Sequence, residues 1–136
     1  MISSYISANQ TVDAGAAYTF DINRIITGCT VVHTAGTSTF TLSKPGYYFV
    51  TFNTTFTTET TGDATIELRN GGIAVPGANA TETVTTAGDT KSIAFATIIR
   101  VLPSCCVIDN AANLTFVATG IALDATTAAV NITKLC

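Results

Sequence analysis

Charge is scarce in this chain. Only 11% of its 136 residues are Asp, Glu, Lys or Arg, against roughly 25% in an ordinary soluble domain. The six Lys and Arg are scattered from Arg24 to Lys134 and form no basic run, so the electrostatic footprint of a nucleic-acid-binding protein is absent. No apolar run approaches the roughly 20 residues of a membrane-spanning helix. The opening MISSYISANQTVD has neither a basic n-region nor an apolar h-region, so it does not read as a secretory signal peptide. The expectation is a piece of something longer, or a protein that leaves its cell by another route such as lysis. Helical periodicity of useful length is lacking as well.

The usual signatures of chemistry are equally thin. His33 is the single histidine. A Ser–His–Asp or Cys–His arrangement needs a nucleophile aimed at it and an orienting group behind it, and no nucleophile elbow is present. His33 therefore reads as a turn-flanking or interface residue, and no catalytic residue is assigned. No C-x-x-C pair occurs among Cys29, Cys105, Cys106 and Cys136, which argues against a zinc ribbon or redox site. Calcium takes clustered loop oxygens, and Glu59, Asp63 and Asp89 are the acids that would supply them. No dense Asp-x-Asp spacing points to such a site, and turn capping is the expected role of Asp63 and Asp89. Neither metal nor other cofactor is expected. The loop RNGGIAVPGANAT, residues 69–81, is Gly-rich but lacks the Gly-Lys-Ser/Thr ending of a phosphate loop.

What the chain does have is threonine, roughly a fifth of all residues against a much lower average usage. Threonine is β-branched yet hydrophilic, so it suits strands with hydroxyl-rich surfaces. Turn signals rich in Gly, Pro, Asn and Asp recur at short spacing, as in a sandwich or jelly roll. The expected strands are Ile2 to Ile6, Ala17 to Ile22, Thr30 to His33, Thr39 to Leu42, Tyr47 to Thr57, Ala64 to Arg69, Lys91 to Leu102, Asn113 to Thr119, Ile121 to Asp124 and Ala129 to Leu135. TETTGD and ATETVTTAGD read as polar loops, and residues 70–81 as a two-Gly turn followed by a crossover. The reading is one all-β domain, an antiparallel two-sheet jelly-roll sandwich over residues 1–136.

One strand departs from the rule that a half-buried strand alternates apolar with polar. In GYYFVTFNTTF, Tyr48, Val50, Phe52 and Phe56 share one face, and Tyr47, Phe49 and Thr51 the other. In KSIAFATIIRVL, Ile93, Phe95, Ile99 and Val101 share one parity, and Ala94, Ala96 and Ile98 the other. Both strands carry apolar groups on two faces.

FTLSKPGYYFVTFN, IELRNGGIAVPGA, TKSIAFATIIRV and the closing NITKL together resemble the trimeric jelly-roll superfamily of tumour necrosis factor and the complement globular head. Within it the chain is most similar to C-terminal heads of bacterial collagen-like spore-coat glycoproteins and of phage and prophage proteins. Phe40, Leu42, Gly46, Tyr48, Val50 and Phe52 carry the most specific element. A collagen-type Gly-X-Y stalk is missing, and LPSCCVID is an addition relative to the complement heads. The resemblance implies three jelly rolls around a threefold axis, which would give both strands two buried faces. The core and trimer-interface residues it implies are Tyr47, Tyr48, Phe49, Val50, Phe52, Ala94, Ala96 and Ile98. Jelly-roll topology would bring Cys29 to the end that holds Cys105 or Cys106, so either a disulfide staple or reduced thiols are open; a Cys105–Cys106 bond would be strained.

The functional expectation that follows is a non-catalytic homotrimeric head of a phage, prophage or bacterial surface protein, attached to a fibre, capsid or surface anchor and located on a virion or outside the cell. The alternative is a module that binds a host glycan or protein through its loops. The residues then expected at the ligand are Glu59, Asp63, Asn70, Asn79 and Asp89. Those loops hold no aromatic platform for stacking on a sugar.

Overall fold

The two-faced strand is the organising element. A computed structural model describes residues 1–103 and 111–135. Eleven strands follow one another: β1 (Ile2–Tyr5), β2 (Gln10–Val12), β3 (Ile22–Ile26), β4 (Val31–Val32), β5 (Phe40–Leu42), β6 (Gly46–Thr57), β7 (Gly62–Asn70), β8 (Ile73–Val84), β9 (Lys91–Val101), β10 (Ala112–Gly120) and β11 (Leu123–Lys134). They form two antiparallel sheets. Sheet I has the order β3-β1-β11-β6-β9, with β2 also paired to β11; sheet II has the order β4-β5-β10-β7-β8. No helix among the described residues is long and apolar enough to cross a membrane, which leaves open what strands can do.

Strand alternation builds the core directly. Tyr48, Val50, Phe52 and Phe56 of β6 are buried, as are Val130 and Ile132 of β11 and Ile93, Ile99 and Val101 of β9. They meet Phe40, Leu42, Ile66, Leu68, Leu114 and Phe116 from sheet II. Phe52 stacks on Phe116 with centroids 4.8 Å apart, and Tyr18 meets Phe52 edge-on at 5.3 Å. Thr54 interrupts the apolar face of β6 without leaving an orphan. Its hydroxyl donates to the Thr127 carbonyl at 2.8 Å, so the Tyr18 hydroxyl, 3.1 Å away, donates to it in turn. Burial pushes the Tyr18 phenol up to about 12, with the bond to Thr54 pulling back part of the way.

Several expected boundaries are corrected. Residues 73–84 are a twelve-residue edge strand, not a crossover and polar loop. Their pairing with β7 runs from Gly62↔Val84 to Glu67↔Asn79, then resumes at Arg69↔Ala74, so Val75 to Ala78 stand opposite Leu68 alone. Pro76 sits in that bulge, where its missing N–H costs no ladder bond and where the bulge blunts an exposed edge. The last two expected strands are one, β11. A bulge at Thr126, between Ala125↔Phe56 and Thr127↔Thr55, breaks its alternation. Ala17 and Phe20 make only isolated bridges, to Val117 and Thr37; the strand of that region is β3, which begins at Ile22. β2 was not expected at all.

Gly120 closes the β10 end. Its φ is +90°, and a Cβ there would lie 2.2 Å from the Asp63 carbonyl oxygen. Gly120→Ala combines a backbone that L-residues avoid with a clash against fixed main chain. A loss of about 2–4 kcal/mol is expected, read as a lowered urea midpoint with unchanged slope. A midpoint within error of the parent would contradict this placement.

Candidate assembly face

Each sheet has one face in the core, and the two outward faces differ. Sheet II presents a mostly polar surface, with Val32 and Ile73 the large exposed apolar side chains on its strands. Thr65 and Thr81 hydroxyls lie 2.7 Å apart, Thr83 donates to the Asp63 carboxylate at 2.9 Å, Thr41 donates to Asn113 at 3.0 Å, and Arg69 pairs with Glu67 at 2.6 Å. Opposite residues across these strands satisfy one another and meet water with the rest.

Sheet I does the reverse. On its outward face Tyr47 of β6 stands opposite Arg100 of β9, Phe49 opposite Ile98, Thr51 opposite Ala96 and Asn53 opposite Ala94. Tyr47, Phe49 and Ile98 are 43%, 40% and 56% exposed, a large display of aromatic and branched side chains on two neighbouring strands. The Arg100 guanidinium lies over the Tyr47 ring at 5.8 Å, and Arg24 over the Tyr5 ring at 5.5 Å while donating to the Ser3 hydroxyl. Further along the same face come small and hydroxyl groups: Ala94, Ala96, and a Thr55–Ser92 contact of 3.2 Å. Alanine holds two of the outward positions of β9, 94 and 96. The face is apolar toward one end and hydroxyl-lined toward the other.

The expected interface set therefore divides. Tyr47, Phe49, Ala94, Ala96 and Ile98 come together on the outward face, whereas Tyr48, Val50 and Phe52 belong wholly to the core of the single chain. The expected ligand residues do not converge. Glu59 and Asp89 are in the β6–β7 and β8–β9 connections, but Asp63 is within β7 and accepts from Thr83, so it caps no turn. Asn70 ends β7 at the opposite end of the sandwich, and Asn79 faces Glu67 in mid-strand. A cleft that sequence reasoning missed gathers Asp13, Glu59 and Asp124 with Thr11 and Thr60; these acids are far apart in the chain, and no spacing signals their meeting. Among the described residues no group of three His, Cys, Asp or Glu could hold a metal ion. Cys29 is exposed in the β3–β4 connection and makes no disulfide among the described residues. Cys105, Cys106 and Cys136 lie outside them.

His33 flanks the turn at residues 34–37, and its side chain is buried there and takes no part in the outward face of sheet I. It is buried, stacked on Phe40 with centroids 4.1 Å apart, with Nδ1 2.6 Å from Asn23 Oδ1 and Nε2 2.9 Å from the Thr37 carbonyl. Asn23 in turn donates to the His33 carbonyl and accepts from Ser4. A neutral ring carries one N–H and donates to one of these two oxygens, and it ties β3 to the β4–β5 edge. Burial lowers its pKa below the ordinary value, the Thr37 bond opposing in part. A folded-state value below the unfolded one means that the unfolded chain takes up the proton first. The neutral ring's stabilisation is thus whole above about pH 6.5 and is lost as pH falls through the folded value. The denaturation midpoint is expected to drop between about pH 7 and pH 5, and His33→Gln to flatten that drop; an equal slope in both proteins would contradict it. Asp21, held low by hydrogen bonds from Ser7, acts in the same sense in a more acidic window.

No protein-family model matches the chain, and no curated protein matches it in sequence. Solved structures do match. Eiger TNF from S. frugiperda superposes with a TM-score of 0.70 at 11% identity, over 99% of this chain and 92% of that one. The PRD1 vertex protein P5 superposes with a TM-score of 0.59 at 17% identity, over 99% and 96%. The fold is the tumour-necrosis-factor-like jelly roll. At these identities the likeness establishes architecture alone.

Proposed function

We propose that the protein is a non-catalytic head module that assembles as a homotrimer through the outward face of sheet I, on a phage, prophage or bacterial surface structure. The observation that carries this reading is the row Tyr47, Phe49 and Ile98, exposed in one chain on β6 and the edge strand β9 of sheet I. Apolar patches of that kind mark interfaces, and a cyclic arrangement closes the assembly without leaving the patch open. The likeness to a tumour-necrosis-factor protein and to a vertex protein is in keeping with it. His33 is committed to holding β3 against the other sheet.

Small-angle X-ray scattering tests the reading. A compact chain of this length has a radius of gyration of about 14 Å, and a compact trimer about 22 Å. The larger value is expected at micromolar concentration; the smaller would overturn the proposal. The alternative, ligand recognition by the loops, draws on the cleft of Asp13, Glu59 and Asp124. That cleft is acidic, so a neutral glycan would have to bind through its hydroxyls rather than by stacking.

A further inference from the structure

The sandwich is polarised along its length. β6, β8 and β10 run one way and β7, β9 and β11 the other, with both chain ends at the pole where Ile2 pairs with Ile132 and Tyr47 with Arg100. Leu135 donates its amide to the Tyr47 carbonyl there, and the Met1 ammonium donates to the Thr27 carbonyl. At the far pole lie the connections after β2, β6, β8 and β10. Charge separates between the two. Asp13, Glu59, Asp63, Glu82, Asp89 and Asp124 are at or near the far pole, where Lys91 is the single cation among the described residues, and Asp21, bonded to Ser7 beyond the end of β1, lies between the poles. Arg24, Lys44, Arg69, Arg100 and Lys134 are in the half that holds the chain ends, where Glu67, paired with Arg69, is the single acid among the described residues. Apolar exposure separates in the same way. The large exposed hydrophobic side chains among the described residues fall in the chain-end half, Met1, Ile26, Ile73 and Leu135 among them, besides Tyr47, Phe49 and Ile98 on the sheet face.

We propose that the chain-end pole is a docking surface whose partner is an acidic protein surface with exposed apolar side chains, the seat on which the head is carried. The inference extends the head reading above, but each of its features lies within one chain and does not require three. Among the described residues the cations of this half outnumber its acids, which calls for a negative partner, and Met1, Ile26 and Leu135 call for apolar contact between them. Lys44 is well placed for this. It sits in the tight turn before Gly46, held by Pro45 and by the Tyr48 hydroxyl, which donates to the Lys44 carbonyl at 2.6 Å, so its position is preorganised. A second copy's far pole would match the charge but offers hydroxyls in place of apolar groups. A lipid bilayer fits less well, because the apolar groups climb the sheet as far as Phe49 and Ile98 with Arg100 among them, rather than ending in one plane.

The test uses the full chain and fluorescent probes in about 0.1 M salt: a random copolymer of glutamate and tyrosine, poly-glutamate of equal length, and vesicles with and without phosphatidylglycerol. The copolymer is expected to bind at least tenfold more tightly than poly-glutamate. Lys44→Glu and Leu135→Ser are each expected to weaken it at least fivefold, and Lys91→Glu, at the other pole, to leave it unchanged. Equal affinity for the two polymers, an effect of Lys91→Glu as large as that of Lys44→Glu, or preference for the anionic vesicles would overturn the proposal. Light scattering on the same samples separates the two readings. Selective copolymer binding by single chains would sink the trimer and leave this inference standing, and a trimer that ignores the copolymer would do the opposite.

Discussion

Phe49→Asp is expected to convert the assembly to single 14.0 kDa chains without unfolding them. The Phe49 side chain points away from the core, opposite Ile98, and is 40% exposed in one chain. Its replacement therefore takes nothing from the packing of Phe52, Val50 and Tyr48 on the other side of the strand. In a trimer the same position would lie against a neighbour, where an aromatic anchor contributes about 2–4 kcal/mol and an unpaired carboxylate costs further desolvation. A cyclic trimer repeats that loss at three equivalent interfaces. The total of about 6–12 kcal/mol corresponds to a fall of at least 10⁴-fold in the association constant. The readouts are mass in solution and the far-ultraviolet circular dichroism of the strands. A variant that stays trimeric would mean that this row is not the contact.

Phe52→Ala is expected to act in the opposite way, sparing assembly chemistry and weakening each chain. Phe52 is 1% exposed and sits among Phe116 at 4.8 Å, Tyr18 at 5.3 Å and Phe95 at 5.4 Å. Truncation removes the transfer energy of the ring, leaves a cavity between two sheets that cannot close over it, and forfeits the aromatic contacts. Losses of about 3–5 kcal/mol are usual for such a site, or roughly 10–20 °C in melting temperature for a domain of this size. The comparison is best made in the Phe49→Asp background, because stability of an assembly depends on concentration. A loss below about 1 kcal/mol would contradict the placement of Phe52 at the centre of the core.

The pair of variants on one strand shows why so much was legible. In β6 and β9 the period of two is uninterrupted, so the sequence alone sorted Tyr48, Val50 and Phe52 from Tyr47 and Phe49, and Ile93 and Ile99 from Ala94, Ala96 and Ile98. The expected set named core and interface residues together, and the structure places Tyr48, Val50 and Phe52 inside and Tyr47, Phe49, Ala94, Ala96 and Ile98 on the outward face. β8 was illegible for a physical reason. Its bulge puts Pro76 and Gly77 inside a strand, and Glu82 holds an inward-parity position where it pairs with Lys91 at 3.9 Å. That misreading carried Asn79 into a loop. Thr126 hid the continuity of β11 in the same way, since one extra residue flips the alternation. The histidine network and the acidic cleft were out of reach, because Asn23, His33 and Ser4, or Asp13, Glu59 and Asp124, are joined only by the way the sheets stack.

Sheet I's outward apolar face is the centre of the account, and its most direct test is the mass of the chain in dilute solution, by light scattering after size-exclusion chromatography, with and without reductant. The account predicts one stable species at three times 14.0 kDa under both conditions, because side-chain packing and not disulfide bonding would hold it. A single-chain mass at micromolar concentration would contradict it and leave Tyr47, Phe49 and Ile98 facing water.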